Sequence, residues 1–218
     1  MNKKNILTIS IILTGVFILV GVIWAQETVS VMLLGPQMEN DKPLMQALKE
    51  RKTQRDFSSK DLPLQVISDL LWAANGINRP LSGYRTAPST MNMQEIDIYV
   101  AKSDGLYLYV AKENILKRVL TEDIRGLTGK QLFVKKAPIN LIFVADLAKM
   151  GKTSGDDTLF YAATDTGFIS ENVYLYCASV GLATVVRGWI DKPELAKAMK
   201  LRTNQKIILA QTVGYPEK

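Results

Sequence analysis

The sequence predicts an α+β domain behind an apolar N-terminal segment. Three observations predict it: apolar residues recur at helical spacing in well-bounded stretches, short alternating runs form a hairpin in mid-chain, and no regular β-α-β repeat joins them. With 218 residues, 47% of them hydrophobic and 22% charged, the chain can bury one sizeable core and shows no bias towards disorder. The simplest division is a leader over residues 1–25, a tether over 26–41 and one folded domain over 42–218.

The leader is the uncharged run from Ile6 to Ala25 behind Lys3 and Lys4. As a helix its 20 residues would reach about 30 Å, enough to cross a bilayer. Ala25 could precede a signal-peptide cut, although Ile23 and Trp24 fit such a site poorly, so cleaved signal and retained anchor both stay open. The preceding lysines orient the domain away from the cytoplasm. The expected location is therefore the periplasm or the outer face of the inner membrane, with membrane contact through this segment only.

The domain elements follow in order. Pro43 can open a short helix through Leu44, Ala47 and Leu48. A second helix carries Leu64, Ile67, Leu70, Leu71 and Ala74 at helical spacing, with Asp61 as candidate cap, Pro63 in its first turn and Gly76 at its end. Ile96, Ile98 and Val100 alternate with polar residues as a strand, and Asp104-Gly105 turns the chain into Leu106–Val110. A polar helical stretch is expected over residues 113–120, then a central strand from Ile139 to Ala145 after Pro138, then a flexible loop over 149–157. From Thr158 to Val180, Phe160, Ala163, Gly167, Ile169, Val173, Tyr176 and Val180 recur at close to helical spacing, which predicts the longest and most buried helix. A short strand from Ala183, a helix over 192–199 and a last strand over 206–213 complete the chain.

Absences narrow the chemistry. With no histidine, the chain cannot build a Ser-His-Asp triad, a histidine zinc site or an imidazole base. One cysteine, Cys177, rules out an internal disulfide or a cysteine-ligated cluster, and its apolar neighbours predict a buried, inert thiol. The net charge of +6 falls to +4 without Lys3 and Lys4, and the basic residues are scattered, which argues against a nucleic-acid partner.

Two stretches remain that could hold a ligand. Arg51-Lys52-Thr53-Gln54-Arg55, if extended, places Arg51, Thr53 and Arg55 on one side, two guanidiniums flanking a hydroxyl as a phosphate requires. A solvated basic turn is the alternative. Farther on, Arg85-Thr86-Ala87-Pro88-Ser89-Thr90-Met91-Asn92-Met93-Gln94 offers hydroxyl, amide and backbone donors among small residues that let a flat ligand approach, or else a polar turn.

Together these stretches resemble the nitroreductase family of FMN enzymes, with Arg51, Thr53, Arg55, Phe57, Pro88, Ser89, Asn92 and Gln94 at the matching positions. The resemblance continues through Gln131, Asp165-x-Gly167, Gly181-Leu182 and Gly214-Tyr215-Pro216, and the Gly105-Leu106-Tyr107 hairpin leans towards the branch with azoline-forming peptide dehydrogenases. It implies a mainly antiparallel central sheet flanked by helices. It also implies FMN phosphate on Arg51, Thr53 and Arg55, ribityl and ring contacts from Pro88, Ser89, Thr90 and Asn92, the pyrimidine edge on Gln131, and Arg187-Gly188 near the reactive N5, with no catalytic side chain.

The activity it implies is hydride transfer through flavin N5 to or from a small organic substrate, with NAD(P)H as a candidate donor. The alternatives are a dehydrogenase of the azoline-oxidising type and an exported flavin-binding protein without turnover. The resemblance also implies a homodimer with flavin at the interface. Aromatics on the long helix, among them Phe160, Tyr174 and Tyr176, suit either such an interface or the core.

Overall fold

The computed structural model describes residues 29–39, 42–151 and 155–217, so the leader lies outside the described residues. No helix among the described residues is long and apolar enough to cross a membrane.

Before the expected start of the domain, the chain already joins the sheet. Strand β1, Ser30–Met32, runs antiparallel to β6, Ile115–Leu120, with Val31 opposite Leu116. Leu33 is buried, and the next residues cross helix α2, Leu64–Asn75, where Leu34 N donates to Ser68 Oγ at 3.0 Å. Residues 30–34 of the expected tether are thus part of the fold.

Helix α1, Leu44–Glu50, starts at Pro43 and packs against helix α4, Gly155–Val180. Helix α2 starts at Pro63 with no side-chain cap, so Asp61 does not have the expected role. A small ribbon of β2, Ile77–Arg79, and β3, Tyr84–Arg85, leads into β4, Ile96–Lys102, and β5, Gly105–Val110. Residues 115–120 form β6, after a turn at 113–114, where a polar helix was expected over 113–120. Leu116 and Leu120 are buried four residues apart, a spacing that one face of a strand and of a helix share. Pairing with β5 and β1 decides between them.

Helix α3, Phe133–Lys136, precedes β7, Ile139–Asp146, which is buried along its whole length. Strand β8, Ala183–Arg187, helix α5, Lys192–Ala198, and strand β9, Gln205–Gly214, follow α4. The sheet order is β1-β6-β5-β4-β7-β9-β8, and every neighbouring pair is antiparallel. Alternation along the strands splits the core: Ile98, Val100, Leu141 and Phe143 pack with α2 and α4, while Tyr99, Ala101, Ile142 and Val144 pack with α5. Helices therefore flank the sheet on both faces, as α+β with a mainly antiparallel sheet requires.

Helix α4 is the longest helix, but its buried stripe differs from the expected one. Ala162, Asp165, Thr166, Ile169, Ser170, Val173 and Cys177 face inward, whereas Phe160 is 65% exposed and Ala163 and Gly167 lie open with Phe168. The aromatic on its first turns thus serves no core within one copy of the chain. Cys177 is buried as expected, and burial pushes its thiol well above the usual range.

The β4–β5 turn sets one stability expectation. Gly105 has φ +139°, and a Cβ there would overlap the Leu120 carbonyl oxygen. Gly105→Ala combines a disfavoured backbone region with a backbone clash, so it should cost about 2 kcal/mol or more. A urea titration that leaves the midpoint unchanged would contradict this geometry.

Candidate functional site

The basic stretch leaves α1 in extended form. Arg51 caps the helix through its N–H to Ala47 O, and Gln54 N donates to Thr184 O at 3.0 Å, which lays the stretch along β8. Phe57 then bridges to Pro216 and packs at 5.4 Å on Phe133, so the closing Gly-Tyr-Pro segment locks the stretch from below.

A relay fixes its central hydroxyl. Thr53 Oγ1 lies 3.0 Å from Tyr174 Oη, which accepts from Val186 N at 3.0 Å, and the Arg51 guanidinium stacks 5.4 Å from the same ring. Because Tyr174 Oη accepts from Val186, its proton is available to Thr53, whose own proton can then serve an anion. Neither Arg51 nor Arg55 forms an ion pair with an acid among the described residues. Two solvent-reaching cations without an acid partner among the described residues, on the stretch that carries a fixed hydroxyl, could hold an anion.

The same relay leads to the other sequence-derived positions. One residue beyond Val186, Arg187 ends β8, and Gly188 is exposed. Lys130 N donates to Trp189 O at 3.1 Å, which brings the segment bearing Gln131 beside Gly188. Gln131 Oε1 is buried without a hydrogen-bond partner among the described residues. Arg51, Thr53, Gln131 and Gly188 thus belong to one end of the molecule, and Arg55 continues the stretch on its exposed side. Arg187 is 5% exposed, and its guanidinium is turned inward. Its guanidinium is satisfied by neutral acceptors inside the fold, and burial lowers its pKa to about 10.

The second stretch is built elsewhere. Met91, Asn92 and Gln94 all adopt left-handed φ, between 49° and 54°, which side chains rarely do without external support. That support is visible. Ser89 Oγ accepts from Gln94 N at 3.1 Å, Arg85 Nε donates to Gln94 Oε1 at 2.7 Å, and Thr90 gives Asp165 both its N–H, at 2.7 Å, and its hydroxyl, at 3.3 Å. Pro88, Ser89, Thr90 and Asn92 are therefore a preformed loop tied to α4.

Behind that loop, Glu95 is 0% exposed, and among the described residues neither carboxyl oxygen has a hydrogen-bond partner. Burial, reinforced by the neighbouring Asp165 charge, raises its pKa to about 7.

Asp165 and Tyr174 hold the two stretches at different places on α4. Nine residues apart, they stand about 13.5 Å apart along the axis and about half a turn around it.

Residues 48–215 match the Nitroreductase family. The chain belongs to that family. A protein of Methanocaldococcus jannaschii provisionally named as a nitroreductase is 30% identical over 78% of this chain and 93% of its own length. A crystal structure from Ralstonia eutropha, also provisionally named a nitroreductase, is 42% identical and superposes with a TM-score of 0.83 over 87% of this chain and 90% of that one. A chain in the Escherichia coli microcin synthetase McbBCD complex shares the fold, with a TM-score of 0.67 at 18% identity over 98% of this chain and 85% of that one. Nitroreductase-family proteins are flavin-dependent oxidoreductases, generally bind FMN, and are commonly dimers acting on small molecules.

The half-site around Thr53 suits FMN: guanidiniums without an acid partner among the described residues and a hydroxyl for the phosphate, and a buried amide oxygen with no hydrogen-bond partner among them for a ring N–H. Tyr174, Asp165 and Glu95 are the supporting residues that the sequence did not single out for the site. Asp165 alone left a signal there, as part of the Asp165-x-Gly167 position of the resemblance.

Proposed function

We propose that the protein is an FMN-dependent oxidoreductase which passes a hydride between a donor and a small organic substrate, working as a homodimer outside the cytoplasm. The observation that carries this reading is the continuous relay from Arg51 and Thr53 through Tyr174 and Val186 to Gly188 and the Gln131 segment. It joins a phosphate-type site to an amide-recognition site along one wall.

Bound FMN supplies the two-electron chemistry at its N5, and the protein supplies binding, orientation and charge. Arg51, Thr53 and Arg55 would hold the phosphate, Gln131 Oε1 would accept from the pyrimidine edge, and the Gly188 main chain would serve the reactive end. The rigid loop of Pro88, Ser89, Thr90 and Asn92 comes from a second copy, because α4 holds it about half a turn from the phosphate stretch. The open face of Phe160, Ala163, Gly167 and Phe168 suits that contact: two small residues let backbones approach while the rings lose exposed surface.

Full-length protein purified in detergent tests the reading. A yellow, FMN-containing dimer that bleaches anaerobically with NADH or NADPH supports a reductase. A yellow protein that neither donor bleaches transfers the weight to a dehydrogenase of the azoline-oxidising type or to flavin binding without turnover. A colourless protein that takes up no added FMN refutes the site. For location, a reporter fused after Lys218 that folds only outside the cytoplasm should be active, and its inactivity would overturn the export proposal.

A further inference from the structure

Arg187 is a buried guanidinium whose partners are all neutral. Its Nε donates to Thr212 Oγ1 at 3.0 Å, one terminal nitrogen to Thr128 O at 2.6 Å, and the other to Asn140 Oδ1 at 2.8 Å and Thr128 Oγ1 at 3.4 Å. The network is closed by Thr212 Oγ1 donating to Asn140 Oδ1 at 2.6 Å and Asn140 Nδ2 donating to Val134 O at 2.7 Å. No carboxylate belongs to it. A charge desolvated in this way costs more than an apolar side chain of the same size, so packing alone does not account for it.

Its position indicates what the charge does. Thr128 begins the segment that carries Gln131, and Arg187 itself precedes Gly188. Between them the backbone runs so close to the guanidinium that a Cβ at Gly129 would overlap it, while standing 2.8 Å from the orphaned Gln131 Oε1. The guanidinium thus grips the two segments that converge on the flavin half-site, from behind.

We infer that Arg187 is a positioning residue: it fixes the Gln131 segment and the Gly188 main chain relative to each other, and its uncompensated charge favours the anionic, reduced form of the flavin. This rests on the FMN reading and extends it to a residue that does not touch the ligand.

The test uses full-length protein stripped of flavin, with FMN as the probe, in wild type, Arg187→Gln and Arg187→Lys. Arg187→Gln should speed amide exchange at Lys130, whose N–H donates to Trp189 O, before any FMN is added, weaken FMN binding about tenfold, and lower the midpoint potential. Arg187→Lys keeps the charge but cannot span the same acceptors, so it should recover the potential while exchange stays fast. An Arg187→Gln protein with wild-type exchange, affinity and potential overturns the inference. If that variant does not fold, wild-type exchange and affinity in Arg187→Lys overturn it instead. Wild type that takes up no FMN refutes the site reading, and the exchange comparison then still decides whether Arg187 holds the segment.

Discussion

Glu95→Gln is expected to stabilise the FMN-free protein by about 3 kcal/mol at pH 8 and to have little effect at pH 4. Glu95 is fully buried with unpartnered oxygens, and its pKa is raised from 4.5 to about 7, by burial first and by Asp165 second. A carboxyl whose pKa is higher in the folded state contributes its full stability below the unfolded value and loses it as pH rises. The window therefore runs from about 4.5 to about 7, and above it the wild type carries the whole cost of a buried charge. Glutamine is neutral throughout and removes the slope.

The chain helps the measurement, because without histidine no side chain has its ordinary pKa between pH 5 and 8. Urea midpoints across pH 4–8 should converge for the two proteins at the acid end and separate through the window. Parallel curves would show that Glu95 is not the buried acid described here. The effect also reaches the candidate site. An ionised Glu95 repels the Asp165 carboxylate that anchors Thr90, so the preformed loop should hold better at high pH in the glutamine variant.

Which parts of this structure were legible in the sequence depends on how far each contact reaches. Helix α2, the β4–β5 hairpin, β7 and the length of α4 follow from local periodicity and turn residues, and they stand where the pattern puts them. Strands β1 and β6 do not. Val31 finds its partner Leu116 more than eighty residues away, and β6, though joined to β5 by a local turn, carries an apolar spacing that a helix shares. The site divides in the same way. The Arg-x-Thr-x-Arg stretch and the Pro-Ser loop were visible as residue types suited to an anion and a flat ligand. The inward turn of Arg187 was not visible, since its acceptors come from Thr128, Asn140 and Thr212. Nor was the arrangement of the two stretches about α4, which depends on where Tyr174 and Asp165 fall around the helix rather than on their spacing to the motifs.

Arg51→Ala combined with Arg55→Ala is expected to weaken FMN binding by at least about 10²-fold while leaving the fold nearly as stable. Each charge-assisted contact to a phosphate is worth about 1.5–3 kcal/mol, and a factor of ten corresponds to about 1.4 kcal/mol, so losing two exceeds 10² even at the low end. The cost to the fold is small because neither guanidinium has an acid partner among the described residues. Arg51 loses a stack on Tyr174 worth about 0.5–1 kcal/mol at such a partly exposed position. Titration of stripped protein with FMN and a thermal melt without it separate the two quantities. Salt gives an internal check, because Debye screening is already about 10 Å at 0.1 M. Wild-type affinity should fall as salt rises, and the double variant should lose most of that dependence. If the variant retained FMN with wild-type affinity and wild-type salt response, the phosphate would have to lie elsewhere. The relay through Thr53 and Tyr174 would then be a structural tie between the basic stretch and β8 rather than the floor of a binding site.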